Sequence, residues 1–116
     1  MAAVYNPTVR IDLWIRAGDS YSTVFTVKEN GAIVDLTGFT VRSQVRAEKT
    51  SATVMITPTV TITSASAGQI TFSLTPAQTE AVTGDTQWYD VETTSPTGFV
   101  KTRVEGVLRR ERDVTR

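Results

Sequence analysis

The sequence predicts an all-β protein, an antiparallel β-sandwich of about seven strands with one short helical turn at residues 75–82. Three observations predict it. Apolar and polar residues alternate with a period of two along most of the chain. Turn signals recur at intervals of about eight to twelve residues. The two commonest residues are Thr, with 21 copies, and Val, with 15; both are β-branched and favour strands.

The first eight residues, MAAVYNPT, read as an extended arm, because Pro7 forbids a helix there. From Val9 the alternation begins. Val9, Ile11, Leu13 and Ile15 form one row; Arg10, Asp12, Trp14 and Arg16 form the other. Ala17-Gly18-Asp19-Ser20 turns the chain into a second strand over residues 21–28, with Tyr21, Thr23, Phe25 and Val27 on one side. Asn30-Gly31 tolerates the two positive φ angles of a type I′ turn and predicts a hairpin. Asp35-Leu36-Thr37-Gly38 turns again, since Asp accepts from backbone amides two residues on and Gly takes the left-handed position. Phe39, Val41, Ser43, Val45 and Ala47 then make an inward row.

Residues 53–63, TVMITPTVTIT, place Val54, Ile56, Val60 and Ile62 on one face. Pro58 lacks the amide a central strand needs, so this segment is an edge strand or two short strands with a break. Residues 69–74 alternate again, with Ile70, Phe72 and Leu74 inward. In TPAQTEAV, Thr75 caps, Pro76 fits the first helical position and Gln78 completes a capping box. Strands follow at residues 86–94 and from Phe99 to about Arg109, joined by the turn Ser95-Pro96-Thr97-Gly98. The short helical link followed by Trp88-Tyr89-Asp90-Val91 reads as the approach to a tyrosine corner, in which a Tyr hydroxyl bonds upstream backbone; this favours an immunoglobulin-like sandwich over a jelly roll or an irregular barrel. The organisation expected is an arm at 1–8, a sandwich at 9–109 and a tail at 110–116.

The composition excludes much chemistry. There is no Cys and no His, so thiolate and imidazole metal sites and the commonest general base are absent. Asp85, Asp90 and Glu92 are close in sequence, but without calcium-loop spacing they read as solvated strand charges. There is no GxSxG elbow, no Ser-x-x-Lys and no glycine-rich phosphate loop. The reading is therefore not an enzyme, with no cofactor and no small-molecule substrate. No apolar run reaches membrane-span length, and MAAVYNP lacks the features of a signal peptide. Net charge is zero, although residues 101–116 hold six basic and three acidic residues. Arg109, Arg110 and Arg112 have no aromatic among them, which argues against nucleic acid; the basic end reads as a solvated tail or, more sharply, as an arm that docks on an acidic neighbour.

Trp14 and Trp88 both fall on the polar rows of their strands, so both point away from the core, where Trp is enriched at interface anchors. Val4 and Tyr5 are the apolar anchors expected in the arm; Arg109, Arg110 and Arg112 are the polar ones at the other end.

Four stretches, WIRAGDSYSTVFTV, IVDLTGFTVRSQVR, WYDVETTSPTGFVKTRVEG and the terminal DVTR, together resemble small β-proteins of tailed bacteriophages and prophages related to the N-terminal domain of phage baseplate upper proteins. The resemblance runs from about Arg16 to Arg116. It implies an immunoglobulin-like sandwich that serves as a virion component, assembled in the host cytoplasm, whose partners are other virion proteins and copies of itself. Longer members continue into a receptor-facing module. This sequence ends at Arg116, which adds capsid decoration, a shell clamp or a tail collar to the expected roles. A carbohydrate- or host-surface-binding module is the further alternative, since exposed Trp suits sugar stacking.

Overall fold

Period-two alternation gives each strand one apolar face, and the computed structural model shows where those faces meet. It describes residues 8–82 and 86–111. Ten strands and one helix follow in order: β1 Val9–Arg10, β2 Leu13–Arg16, β3 Tyr21–Thr26, β4 Lys28–Glu29, β5 Ala32–Ile33, β6 Thr40–Arg46, β7 Thr59–Ser64, β8 Gln69–Leu74, α1 Pro76–Ala81, β9 Thr86–Thr94 and β10 Val100–Glu111. One sheet has the order β1-β10-β9-β6, with β2 also on β10; a second has the order β3-β8-β7; β4 and β5 form a hairpin.

Side chains from both larger sheets share one core. Phe72 is fully buried and meets the rings of Tyr21, Phe25 and Tyr89, with centroids 6.5, 6.0 and 5.4 Å away. Val45 and Val91 from one sheet and Ile70 from the other are also fully buried. Removing a ring such as Phe72 would cost about 3–5 kcal/mol through lost burial and the cavity left behind. The helix carries the expected capping box between Thr75 and Gln78. Its buried Thr79 hydroxyl donates to the Asp19 carbonyl at 2.8 Å and accepts from the Gly18 amide at 3.1 Å, which pins the turn between β2 and β3.

The turn chemistry takes the expected geometry. Asn30 and Gly31 have φ of 50° and 79°, as a type I′ hairpin requires. The Asp35 carboxylate accepts from the Thr37 amide at 2.9 Å. Pro58 immediately precedes β7, an end strand, and Ile56 on its other side makes an isolated bridge to Val45.

Five expectations are corrected. The described residues form ten strands where about seven were expected, because the first strand divides into β1 and β2 and the two-residue strands β4 and β5 flank the Asn30-Gly31 turn. The sheets are not all antiparallel, because β1 and β2 run parallel to β10. The first strand is not continuous: it breaks at Ile11-Asp12, and Val9 and Ile11 are exposed while Leu13 and Ile15 are buried. Ala47 lies beyond β6 and is exposed. The last strand runs to Glu111, pairing Arg110 with Ile15 and Glu111 with Arg16, so the tail expected from residue 110 begins no earlier than residue 112. Parallel pairing with β2 holds those last two residues in the sheet. Val4, Tyr5 and Arg112 lie outside the described residues.

Candidate interaction site

The break between β1 and β2 organises the surface around it. At this point the chain crosses Gly106 of β10, where a Cβ would collide with the Ile11 carbonyl oxygen, so only glycine fits. The Tyr89 hydroxyl donates to that same oxygen at 2.6 Å. This bond replaces the expected tyrosine corner, whose acceptor lies only a few residues upstream: the acceptor here is Ile11, between β1 and β2, 78 residues away. Burial, the first cause, pushes the Tyr89 hydroxyl well above its ordinary pKa. It is a fixed neutral donor.

Asp12 lies in the break. Its carboxylate accepts from the Val107 amide at 3.2 Å and from Arg10 Nε at 3.2 Å. The Val107 amide, then Arg10, hold its pKa below the ordinary carboxylate value. Arg109 Nη2 stands 3.8 Å from its other oxygen. The Arg109 guanidinium also lies over the Trp14 ring at 5.7 Å, and that of Arg10 over Trp88 at 5.2 Å. Lys49 stands 5.2 Å from the Trp88 ring and 3.4 Å from Glu105.

These contacts join Trp14, Arg109, Asp12, Arg10 and Trp88 in one band on the outside of the larger sheet. Trp14 is 61% exposed and Trp88 half-buried. Three of the predicted site residues, Trp14, Trp88 and Arg109, are thereby brought together. Arg110 is not part of the band; it is half-buried, with a buried Nε that makes no hydrogen bond among the described residues. Asp90 and Glu92 do share the expected outward face. Glu92 pairs with Arg42 at 2.7 Å, while burial, then Glu92, raise the pKa of Asp90. Asp85 lies outside the described residues.

A second feature, not anticipated, opens on the other side of β1. A groove of about 420 Å³ lies between Val9 and Ile11 on one wall and Val24, Phe25 and Val27 on the other. Both walls are built on end strands: Val9 in β1 with Ile11 just after it in one sheet, and Val24 and Phe25 in β3 with Val27 just after it in the other. One backbone edge of each has no partner strand among the described residues. Val9 and Val24 are 52% and 54% exposed.

A β-bulge at Thr102/Val104 shapes the end of this groove. It turns Arg103 inward, where Nε donates to the Thr93 hydroxyl at 2.9 Å and Nη1 to Glu29 at 2.5 Å. Lys101 also reaches Glu29, at 3.6 Å. Arg103, first by its hydrogen bond, depresses the Glu29 pKa. Lys28 lines the groove and makes no ion pair among the described residues. The sequence signal for this arrangement is the change of phase between Lys101 and Val104 that an inserted residue produces.

Among the described residues no three His, Cys, Asp or Glu side chains converge as a metal site, and no helix is long and apolar enough to cross a membrane. The arrangement offers apolar walls, free strand edges and fixed cations, which are means of holding another polypeptide. No family model matches the chain, and no curated protein matches it.

Proposed function

We propose that the protein is a non-enzymatic structural component of a bacteriophage particle, an immunoglobulin-like sandwich that acts by packing against other virion proteins and copies of itself. The observation that carries the packing part is the groove between two unpartnered strand edges, with Val9, Ile11 and Val24 exposed along it. Unpaired edges are normally covered or blunted, and a groove that joins two of them invites an added strand. The particle assignment draws on the resemblance of the four stretches described above. The outer band supports the same reading, because it presents an exposed Trp beside an Arg, the residue types enriched at interface anchors.

Capsid decoration is the alternative within this reading, and tail or baseplate association is its counterpart. Glycan binding is less favoured, because cations already stand over the Trp14 and Trp88 rings where a sugar would stack.

Mass spectrometry of purified particles from the source strain tests the proposal. The chain is expected in the particle fraction at a fixed ratio to the major shell or tail protein. Its absence from intact particles would overturn the assignment.

A further inference from the structure

We propose that the groove between β1 and β3 receives residues 1–7 of a second copy of this chain as an added strand, with Val4 and Tyr5 seated beside the adjacent pair Val24 and Phe25. The inference deepens the packing reading above and rests on it.

The shape and chemistry of the groove select an extended apolar segment. Val9, Ile11, Val24, Phe25 and Val27 make its walls apolar, and among the described residues β3 has a free backbone edge beside them. Extended, residues 1–7 span about 23 Å, enough to run along the six residues of β3, about 20 Å. MAAVYNP has no charged side chain and two large apolar ones three and two residues before Pro7. It therefore adds no side-chain charge beside Lys28 and Lys101, where a second basic segment would be repelled.

The direction of the chain points to a second copy rather than to the same one. Phe25 stacks on Tyr89, which bonds Ile11, whereas Glu29 pairs with Arg103, beside the Thr102 carbonyl that accepts from the Thr8 hydroxyl at 3.0 Å. The chain from β3 to β4 thus runs opposite to the chain from Thr8 to β2. Thr8 therefore lies at the Glu29 end of the groove, away from Val24, and a segment of the same chain would have to reverse direction before Thr8 to reach Val24. A segment from another copy has no such constraint and can lie along β3 from either end. Each copy can both give and receive a strand, so reciprocal exchange closes a two-fold dimer and one-way transfer closes a ring or extends as a stack.

The absence of cysteine from the sequence makes the test clean. Full-length Tyr5→Cys and Val24→Cys chains are mixed in a glutathione redox buffer and resolved by mass under non-reducing conditions. The mixed dimer, with one chain of each variant, is expected to predominate over both homodimers. A chain carrying both substitutions is expected to give intermolecular ladders. A statistical mixture of dimers, or closure of the disulfide within one chain, would overturn the proposal. As a second measurement, Val24→Lys is expected to weaken self-association roughly tenfold in sedimentation, as loss of one anchor would, with an unchanged melting curve. Unchanged association would also overturn it. Specific cross-linking in a chain absent from particles would remove the virion reading alone; statistical cross-linking in a chain present in particles would remove the strand exchange alone.

Discussion

The Tyr89 hydroxyl donates to the Ile11 carbonyl at 2.6 Å, across 78 residues of sequence. The bond ties the middle of β9 to the point where β1 gives way to β2. The same peptide region is held by the Ile11 amide on the Glu105 carbonyl at 2.9 Å and by the Asp12 carboxylate on the Val107 amide. One wall of the groove therefore stands where Tyr89 and β10 put it.

Tyr89→Phe keeps the ring in the core and removes only this bond. The expected loss is about 1 kcal/mol, a fall in Tm of about 4 °C. Amide exchange should accelerate at Ile11 and Val107 and stay unchanged in the β3–β8 ladder. Uniform acceleration would show that the hydroxyl stabilises the whole fold and has no special hold on the groove wall.

Gly106→Ala should be far more costly than its chemistry suggests. The added methyl meets the Ile11 carbonyl, which is backbone and cannot swing away. The expected cost is about 3 kcal/mol, the upper part of the range for overpacking. Gly98→Ala is the control, because its Cβ would meet open space and only the φ of 90° resists it. That strain costs about 1 kcal/mol. Urea unfolding at matched m-values separates the two; equal midpoints would mean that the crossing yields more easily than the geometry indicates.

These two residues also mark where sequence reasoning stops. Strand positions, the Asn30-Gly31 hairpin, the Thr75–Gln78 cap and the outward set of Trp14 and Trp88 were legible because each depends on local periodicity or local turn chemistry. The break at Ile11-Asp12 was not, because it is imposed by contacts with Tyr89 and Gly106, far away in the chain. The exposure of Val9 and Ile11 was not legible for a different reason: alternation says which way a side chain points, but not whether the other sheet covers it. Arg103 was missed because a bulge changes which row faces inward, and only the phase change near Thr102 betrays it. Arg109 was legible as an anchor, but its place in a strand beside Trp14 required the parallel pairing of β2 with β10.

Acid should loosen the groove end first. Arg103 holds the Glu29 carboxyl below its ordinary pKa, so this pair stabilises the fold above the unfolded value of about 4.3. The contribution is lost as pH falls through the lower folded value. Asp12 acts in the same sense, through the Val107 amide and Arg10. Asp90 acts in the opposite sense, because burial raises its pKa, and its penalty is relieved as the group takes up a proton in acid. Glu29→Gln should therefore cost about 1 kcal/mol at pH 7, a modest figure because Glu29 is partly solvated, and should flatten the fall in stability below about pH 4. Urea melts of the two chains from pH 7 to pH 2 check this; parallel curves would show that the Glu29–Arg103 pair does not set the acid limb.

Trp14 and Trp88 report on different surroundings and so on different states. Trp14 is largely in water with Arg109 over its ring, whereas Trp88 is half-buried beside Arg10 and Lys49. In the isolated chain a Trp88→Phe variant, which keeps only Trp14, should be quenched by acrylamide several-fold more strongly than a Trp14→Phe variant. If the outer band is an interface in the particle, the Trp14 signal should become resistant to acrylamide on assembly, while Trp88 changes less. Arg109→Ala should leave the melting curve nearly unchanged, since a surface ion pair at 3.8 Å contributes little, yet reduce the protection of Trp14. Equal quenching of Trp14 before and after assembly would place the contact elsewhere on the molecule and leave the β1–β3 groove as the surface that packing uses.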